Sequence, residues 1–309
     1  KFRFLFCDLL LQRELIIMTR KTAIIIVIAI GACAILLVLL GIVIVVNPLS
    51  GIGPKVAVIE ITGTIIKSDP IIEQIHGYRD NPSVKSIVLR INSPGGAVVP
   101  TQEIYSELGK LKTKSRKKIV ASMGTTAASG GYYIACVADE IFANPGTLTG
   151  SIGVIMQIIT AEGILKKVGV GSEVIKSGKF KDTGSPMRSM TDEERAILQE
   201  TVDDVYAQFV DAVFEGRQNK GLTREEIVEL ANGRIFSGQQ AYERKLVDEL
   251  GDLQDAIKRA GELGGIKGEP KVVKYKQRKS LMEQILGVSV EQKVEQLFES
   301  GMSLRYELY

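Results

Sequence analysis

The chain has 309 residues, 45% apolar and 24% charged, with 31 glycines and a formal net charge of +3. These values exclude a disulfide-stapled peptide and a globally disordered chain, and suggest two domains or one large domain with appendages. Residues 1–47 alone carry a net +3, so the other 262 residues balance to zero, which argues against nucleic-acid binding. A single histidine, His76, and three scattered cysteines, Cys7, Cys33 and Cys136, argue against a clustered zinc site or a disulfide framework.

Met18 and the Thr-Arg-Lys after it read as a natural start, which makes residues 1–17 either an upstream artefact or a cytoplasmic stub. Ala23–Val46 is a run of 24 uncharged residues rich in Ile, Val and Leu. As a helix it would be ~36 Å long, enough to span a bilayer core with some tilt. Arg20 and Lys21 precede it, so the positive-inside rule sets the N-terminus in the cytoplasm and everything after Val46 outside. A cleaved signal peptide fits less well, because the run is long and lacks a small-residue exit. A lipoprotein reading of Cys33 is disfavoured by the apolar stretch that follows it. The expected organisation is a stub at 1–22, a transmembrane anchor at 23–46, a Gly/Pro/Ser linker at 47–54, a main domain at 55–265 and a C-terminal strand with a helical tail at 266–309.

In the main domain, Lys55–Ile66, Ser86–Ile91, Lys118–Ser122, Glu140–Ala143, Ser151–Ile158 and Ser172–Ile175 read as strands. Thr101–Leu111, Ala128–Val137 and Ala161–Val168 read as helices. Strands alternating with helices predict an α/β layered fold with much parallel pairing. From Thr191 the chain turns helical: Thr191 with Glu194 three residues on forms a capping-box signature, and the apolar spacing continues to about Glu215. Shorter helices are predicted near Arg224–Ala231, Gly238–Arg244 and Asp252–Gly261, then a strand at Lys271–Lys276 and a helical tail at Ser280–Phe298. Ser303–Tyr309 is extended and partly apolar, and is read as a candidate self-peptide for a groove.

Two stretches point to chemistry. Ser129 stands in Thr125–Ala135, TTAASGGYYIA, at a predicted strand-to-helix junction among nearly side-chain-free residues. A nucleophile there can be approached by substrate backbone, and amides at the helix start can stabilise an oxyanion. Helix capping is the competing role for the same serine. Asn92–Gly96, NSPGG, follows an apolar strand, and its glycines form either a simple turn or amides aimed into a cleft. A serine nucleophile needs a base. His76 falls in the polar stretch Gln74–Asn81 and reads as a surface or loop histidine. Lysines in Lys176–Pro186 are alternative bases, and such a lysine must be desolvated enough to be neutral; spacing alone singles out none of them.

Four segments stand in the same order as in the signal peptide peptidase A family: Asn92–Gly96, Thr126–Ala135 (TAASGGYYIA), Thr149–Val154 (TGSIGV) and Ser177–Pro186 (SGKFKDTGSP). The chain resembles the short, single-domain form of these membrane-anchored serine proteases. The resemblance covers most of 55–265 and implies a Clp-protease/crotonase-like fold with an N-terminal transmembrane helix. It implies that Ser129 is the nucleophile and Lys181 the general base, with Lys179 as the competing lysine. Ser151 would orient the base, and Gly95 or Gly96 with the amide of Gly130 would form the oxyanion hole.

The implied reaction is acyl transfer through an acyl-enzyme, with no metal or organic cofactor. Implied substrates are cleaved signal peptides and other extended hydrophobic peptides at the membrane. Similar short-form enzymes are homo-oligomers whose active sites combine serine and lysine from neighbouring subunits. Three other readings share part of this pattern: a Ser/Lys membrane protease acting on a specific membrane-protein tail, a crotonase-like acyl-CoA enzyme and a catalytically dead scaffold.

Overall fold

A computed structural model describes residue 25 and residues 28–38, 53–275 and 304–307. The chain divides between Gly53 and Pro54 into two units. In the first, residues 28–38 are helical and exposed, and among the described residues no helix is long and apolar enough to cross a membrane. The expected span at 23–46 runs beyond the described residues at both ends, and the predicted helical tail at Ser280–Phe298 lies outside them altogether.

The second unit is built on a parallel sheet. Its strands are β1 (Lys55–Thr62), β2 (Val84–Ser93), β4 (Lys118–Ala128), β5 (Glu140–Ala143), β9 (Glu249–Leu250) and β10 (Lys271–Lys274), in the order β10-β1-β2-β4-β5-β9. Every neighbouring pair along this path is parallel. Parallel sheets need cover on both faces, and the alternation of β1 supplies it. Ala57, Ile59 and Ile61 join the larger core, with α1 (Asp69–Arg79), α2 (Val98–Ser115), α3 (Gly130–Ala135) and α5 (Asp192–Arg217). Val56 and Val58 face the other way, with Val88 and Val120, onto Ala256, Ile257 and Ala260 of α8 (Leu253–Leu263). The strand predicted after the main domain is thus the edge of its principal sheet: Lys55–Val58 pair with Lys271–Lys274.

Beyond the end of β4, β6 (Leu148–Gly150) pairs in parallel with it, and β8 (Ile235–Ser237) pairs antiparallel with β6. A second sheet has three strands in the order β3-β11-β7, where β3 is Gly95–Ala97, β7 is Ile155–Met156 and β11 is Leu304–Glu307. The remaining helices are α4 (Glu162–Lys167), α6 (Arg224–Leu230) and α7 (Gly238–Glu243).

Three predictions are corrected. The polar stretch around His76 is helical: Ile75 and Tyr78 are buried beneath α1, and His76 lies on its surface with Nε2 2.9 Å from the Glu107 carboxylate. Ser151–Ile158 contributes only the two-residue β7. Ser172–Ile175 is exposed and has no ladder partner among the described residues, so its apolar content reflects surface and not a buried strand. The Thr191 capping box is present, and the helix it opens runs to Arg217.

Candidate active site

β4 ends at Ala128, and Ser129 turns the chain into α3 with φ 53° and ψ −116°. A non-glycine residue held there is strained by about 1–3 kcal/mol, and such strain collects at functional positions. Backbone bonds hold the turn on both sides. Ser129 N–H donates to Gly150 O at 2.8 Å, and Ser129 O accepts from Tyr133 N–H at 2.8 Å. Ser129 is only 1% exposed. Gly131, two residues on, permits close packing: a Cβ there would stand 2.9 Å from Ser93 O. Tyr132 anchors α3 from below, its hydroxyl donating to Leu246 O at 2.9 Å. Cys136, just past α3, is no rival nucleophile, because burial pushes its thiol up to about 12.

Ser151 arrives beside this turn through strand register. Ala128 is opposite Gly150, so the residues leaving the two strands are neighbours, ~4.8 Å being the usual strand spacing. Thr149 Oγ1 donates to Ala127 O at 2.7 Å and ties the strands together. Ser151 also has positive φ, 49°, and its N–H donates to Arg234 O at 2.8 Å. A cleft of about 590 Å³ runs from Ser151 past Val154, Ile155, Val202 and Tyr206.

The third component is the end of β2. Ser93 stands opposite Ala127, beyond a register shift in the β2–β4 ladder. Gly95 N–H donates to Ser93 Oγ at 3.1 Å. Gly95 O accepts from Ile65 N–H, and Ala97 N–H donates to Ile65 O, both at 2.8 Å. Between them Gly96 admits no side chain, since a Cβ would stand 2.2 Å from Ile65 O. On its other edge β3 pairs antiparallel with β11, which in turn pairs antiparallel with β7. Gly95, Gly96, Ser129, Gly130 and Ser151 are therefore drawn together at the ends of β2, β4 and β6.

Both candidate lysines are on the exposed segment 171–181. Lys181 is exposed in a surface turn, where its N–H donates to Gly178 O at 3.2 Å. Among the described residues no hydrogen bond joins it to Ser129 or Ser151. Lys179 is engaged, ion-paired with Glu193 and 5.1 Å from the centre of the Phe180 ring.

The turn is braced by a network that sequence reading missed. Asp182 accepts from Arg188 Nε at 2.9 Å and from Lys176 Nζ at 2.5 Å. Arg188 also reaches Glu194, with Nη1 donating to Oε2 at 2.8 Å. Glu194 accepts the Thr191 N–H at 2.9 Å as part of the cap of α5. Arg188, then Lys176, hold Asp182 well below the usual carboxylate range, and Arg188 brings Glu194 down to about 2. The capping box was the one visible trace of this network; the ion pairs depend on how the 176–190 segment folds back.

The family model of peptidase family S49 matches residues 111–267, and that of Clp protease matches residues 55–147. A protein of Synechocystis sp. named as a candidate protease, slr0021, is 46% identical over 214 residues, covering 69% of this chain and 75% of its own. A protein of Enterococcus faecium named as a candidate signal peptide peptidase SppA is 41% identical over 184 residues, covering 60% of this chain and 52% of its own. Protease 4 of Salmonella typhi is 37% identical over 224 residues, covering 70% of this chain but only 35% of its own, so the chain spans about a third to three quarters of these relatives. The strained serine thus sits where a family-wide match also falls, and the chain belongs to peptidase family S49 as a serine peptidase related to signal peptide peptidase A.

Proposed function

We propose that the chain is a membrane-anchored endopeptidase, with its catalytic unit outside the cytoplasm, that degrades remnant signal peptides and other extended hydrophobic peptides through a Ser129/Lys181 dyad. The observation that carries this reading is the shape of the groove. Two short strand edges, β3 and β7, hold an extended segment between them, in contact with the helix that Ser129 opens. Edges that bind main chain accept varied sequences, which suits an enzyme clearing peptides of no fixed sequence.

In this mechanism Ser129 Oγ attacks the substrate carbonyl while a neutral Lys181 amine takes its proton. The Gly96 and Gly130 amides face the oxyanion; Gly95 is the weaker donor because its N–H is already given to Ser93 Oγ. Lysine returns the proton to the leaving amine, and water then hydrolyses the acyl-enzyme. Ser151 orients the amine without a charge that would hold it as ammonium. Lys179 is the poorer base because its ammonium is already paired with Glu193.

The lysine is supplied to Ser129 by a neighbouring copy in a homo-oligomer. Supporting this, Lys181 lies on a segment with unusually exposed apolar side chains. Ile159 is 74%, Ile164 68% and Ile175 99% exposed. Apolar surface of this kind favours burial against a partner.

The test has two parts. A serine-reactive fluorophosphonate should label the wild type and leave Ser129→Ala unlabelled; equal labelling of both removes Ser129 as nucleophile. Ser129→Ala and Lys181→Ala, each inactive alone, should regain peptidase activity when co-assembled. Failure to regain it, in mixed oligomers shown to form, refutes sharing between subunits.

A further inference from the structure

Basic residues of the main unit gather at one edge of its sheet. Lys110–Lys118 holds six lysines and arginines in nine residues and no acid, although residues 48–309 as a whole are neutral. The fold adds to this run. The strands are parallel, so they start at one edge: Lys271 of β10 is opposite Lys55 of β1, Lys55 is opposite Val84 of β2, and Lys118 of β4 is opposite Ser86. Lys85 stands between the last two β2 positions. Helix α2 ends at the same edge: Lys112 Nζ donates to Val137 O at 2.8 Å and is 3.5 Å from Asp139, the residue before β5. Lys117 Nζ donates to Arg79 O and Asn81 O, both at 2.8 Å, at the end of α1. These bonds occupy only part of the charge. Among the described residues no acid pairs with Lys85, Lys114, Arg116 or Lys271, and all four are exposed. Of the nearby acids, Asp80 pairs with Arg79 and Glu140 with Arg259, Asp139 is shared by Lys112 and Lys118, and Glu269 precedes Lys271 by two residues. Like charges are crowded here: burial lowers the Lys117 pKa, and the charge of Lys85 adds to this against the pull of Asp80.

We infer that this edge is a docking surface for an anionic bilayer, whose headgroup phosphates meet Lys85, Lys114, Arg116, Lys118 and Lys271. The inference rests on the proposed membrane anchor. Lys55 opens β1 at this edge, and in sequence only Asn47–Pro54 separates it from the end of the apolar run at Val46. A linker of that length reaches at most ~28 Å when fully extended, so an anchored unit keeps this edge near the lipid. Nucleic acid is the other polyanion such an edge could meet, but nothing tethers the unit to it. Each lysine or arginine close to an anionic leaflet strengthens attachment roughly fivefold, and the attraction fades beyond a Debye length of about 10 Å at 0.1 M salt. Ser129 follows the far end of β4, whose 11 residues span ~36 Å at the usual strand rise. The nucleophile is then held clear of the bilayer, and a peptide must leave the lipid to reach it.

Amine footprinting of the full chain in lipid nanodiscs tests this, with a water-soluble acetylating reagent read by peptide mass. On discs with about a quarter phosphatidylglycerol, Lys85, Lys114 and Lys271 should be acetylated several-fold more slowly than on pure phosphatidylcholine discs, with Lys166 and Lys274 unchanged. Salt at about 1 M, where the Debye length is about 3 Å, should remove the difference. Lys85→Glu combined with Lys114→Glu should lose the protection at Lys118 and Lys271 while melting and hydrolysing peptide as the wild type does. Equal acetylation on the two discs overturns the inference, as does protection of Lys166 to the same degree as Lys271. Protection by duplex DNA but not by the discs assigns the edge to another polyanion and also overturns it. A chain retained by phosphatidylglycerol discs but lost from pure phosphatidylcholine discs overturns the anchor and keeps the docking edge; a chain lost from both overturns both.

Discussion

Replacing Gly96 by alanine separates two roles that the fold combines at one residue. The added Cβ would stand 2.2 Å from Ile65 O and 2.6 Å from Ile65 N. Carbon and oxygen normally approach to about 3.3 Å at closest, so β3 must move away by roughly 1 Å. The obstacle is backbone, so no rotamer change relieves it. A shift of that size breaks the two 2.8 Å bonds between Ile65 and β3, at about 1 kcal/mol each, and adds an overpacking cost of about 1–3 kcal/mol. A loss of about 3–5 kcal/mol in a unit of this size lowers Tm by roughly 6–20 °C. If Gly96 N–H also stabilises the oxyanion, kcat falls by about 10²–10³ at temperatures where the variant remains folded. Gly77→Ala and Gly109→Ala are the controls. Both glycines are inside helices with open space around them, and alanine there should stabilise by about 0.5–1 kcal/mol. The measurements are thermal melts and hydrolysis of a fluorogenic peptide at 25 °C. A Gly96→Ala protein that melts with the wild type refutes the steric reasoning. One that melts lower but keeps full kcat refutes the oxyanion role.

Ser129→Gly should abolish hydrolysis yet raise Tm by a few degrees, since glycine relieves about 1 kcal/mol or more of strain at φ 53°; a lower Tm would show that the turn is not strained. Lys181→Ala should be as inactive as Ser129→Ala, while Lys179→Ala should keep most of its turnover; the reverse pattern in a peptide assay would reassign the base. Arg217→Met should destabilise by about 3–5 kcal/mol, because Arg217 is 1% exposed and its guanidinium bonds both Asp248 oxygens, at 2.8 and 2.9 Å. Burial pushes the Asp248 carboxyl up, but Arg217 outweighs it and the net shift is downward. The pair therefore stabilises above the ordinary carboxylate range and is lost as pH falls through the depressed value. The stability gap between wild type and Arg217→Met, measured by denaturant melts, should narrow below about pH 4.

The strand-to-helix turn at Ser129 was legible because it depends on local rules. A run of small residues after a strand marks a place where backbones meet closely, and Gly131 and Gly96 do so against Ser93 and Ile65. The long helix after Thr191 was legible because its cap is a local hydrogen-bond exchange. What failed was reading apolar content as strand when no ladder partner was assured. Ser172–Ile175 is apolar enough for a strand but stays exposed. Helix α1 was missed because only Ile75 and Tyr78 on it are fully buried, with Ile71 partly buried against the core, among polar neighbours. The pairing of β6 with β4 cannot be read along the chain, since it is a contact between distant segments; the extended Ser303–Tyr309 was legible as a groove peptide, but not the register in which β11 pairs with β3 and β7.

This difference in legibility follows a physical division within the site. Ser129 and Ser151 are held at unfavourable φ by strands whose core residues are almost wholly excluded from solvent. Such strain persists only where the surroundings over-determine the backbone. Lys181 has no comparable support: its turn is pinned by ion pairs from Asp182 and Arg188, within a stretch in which residues 171–181 are all exposed. Ion pairs at a surface contribute little to stability, so they set the shape of the turn more than its hold on the domain. If Lys181 is the base, as proposed, a turn this exposed needs a partner surface to enclose it. The exposed apolar side chains of the same stretch would form the dry wall of that environment once a second subunit covers them. On the proposed reading, assembly would then complete the site, and an unassembled chain would hold a nucleophile with no base beside it.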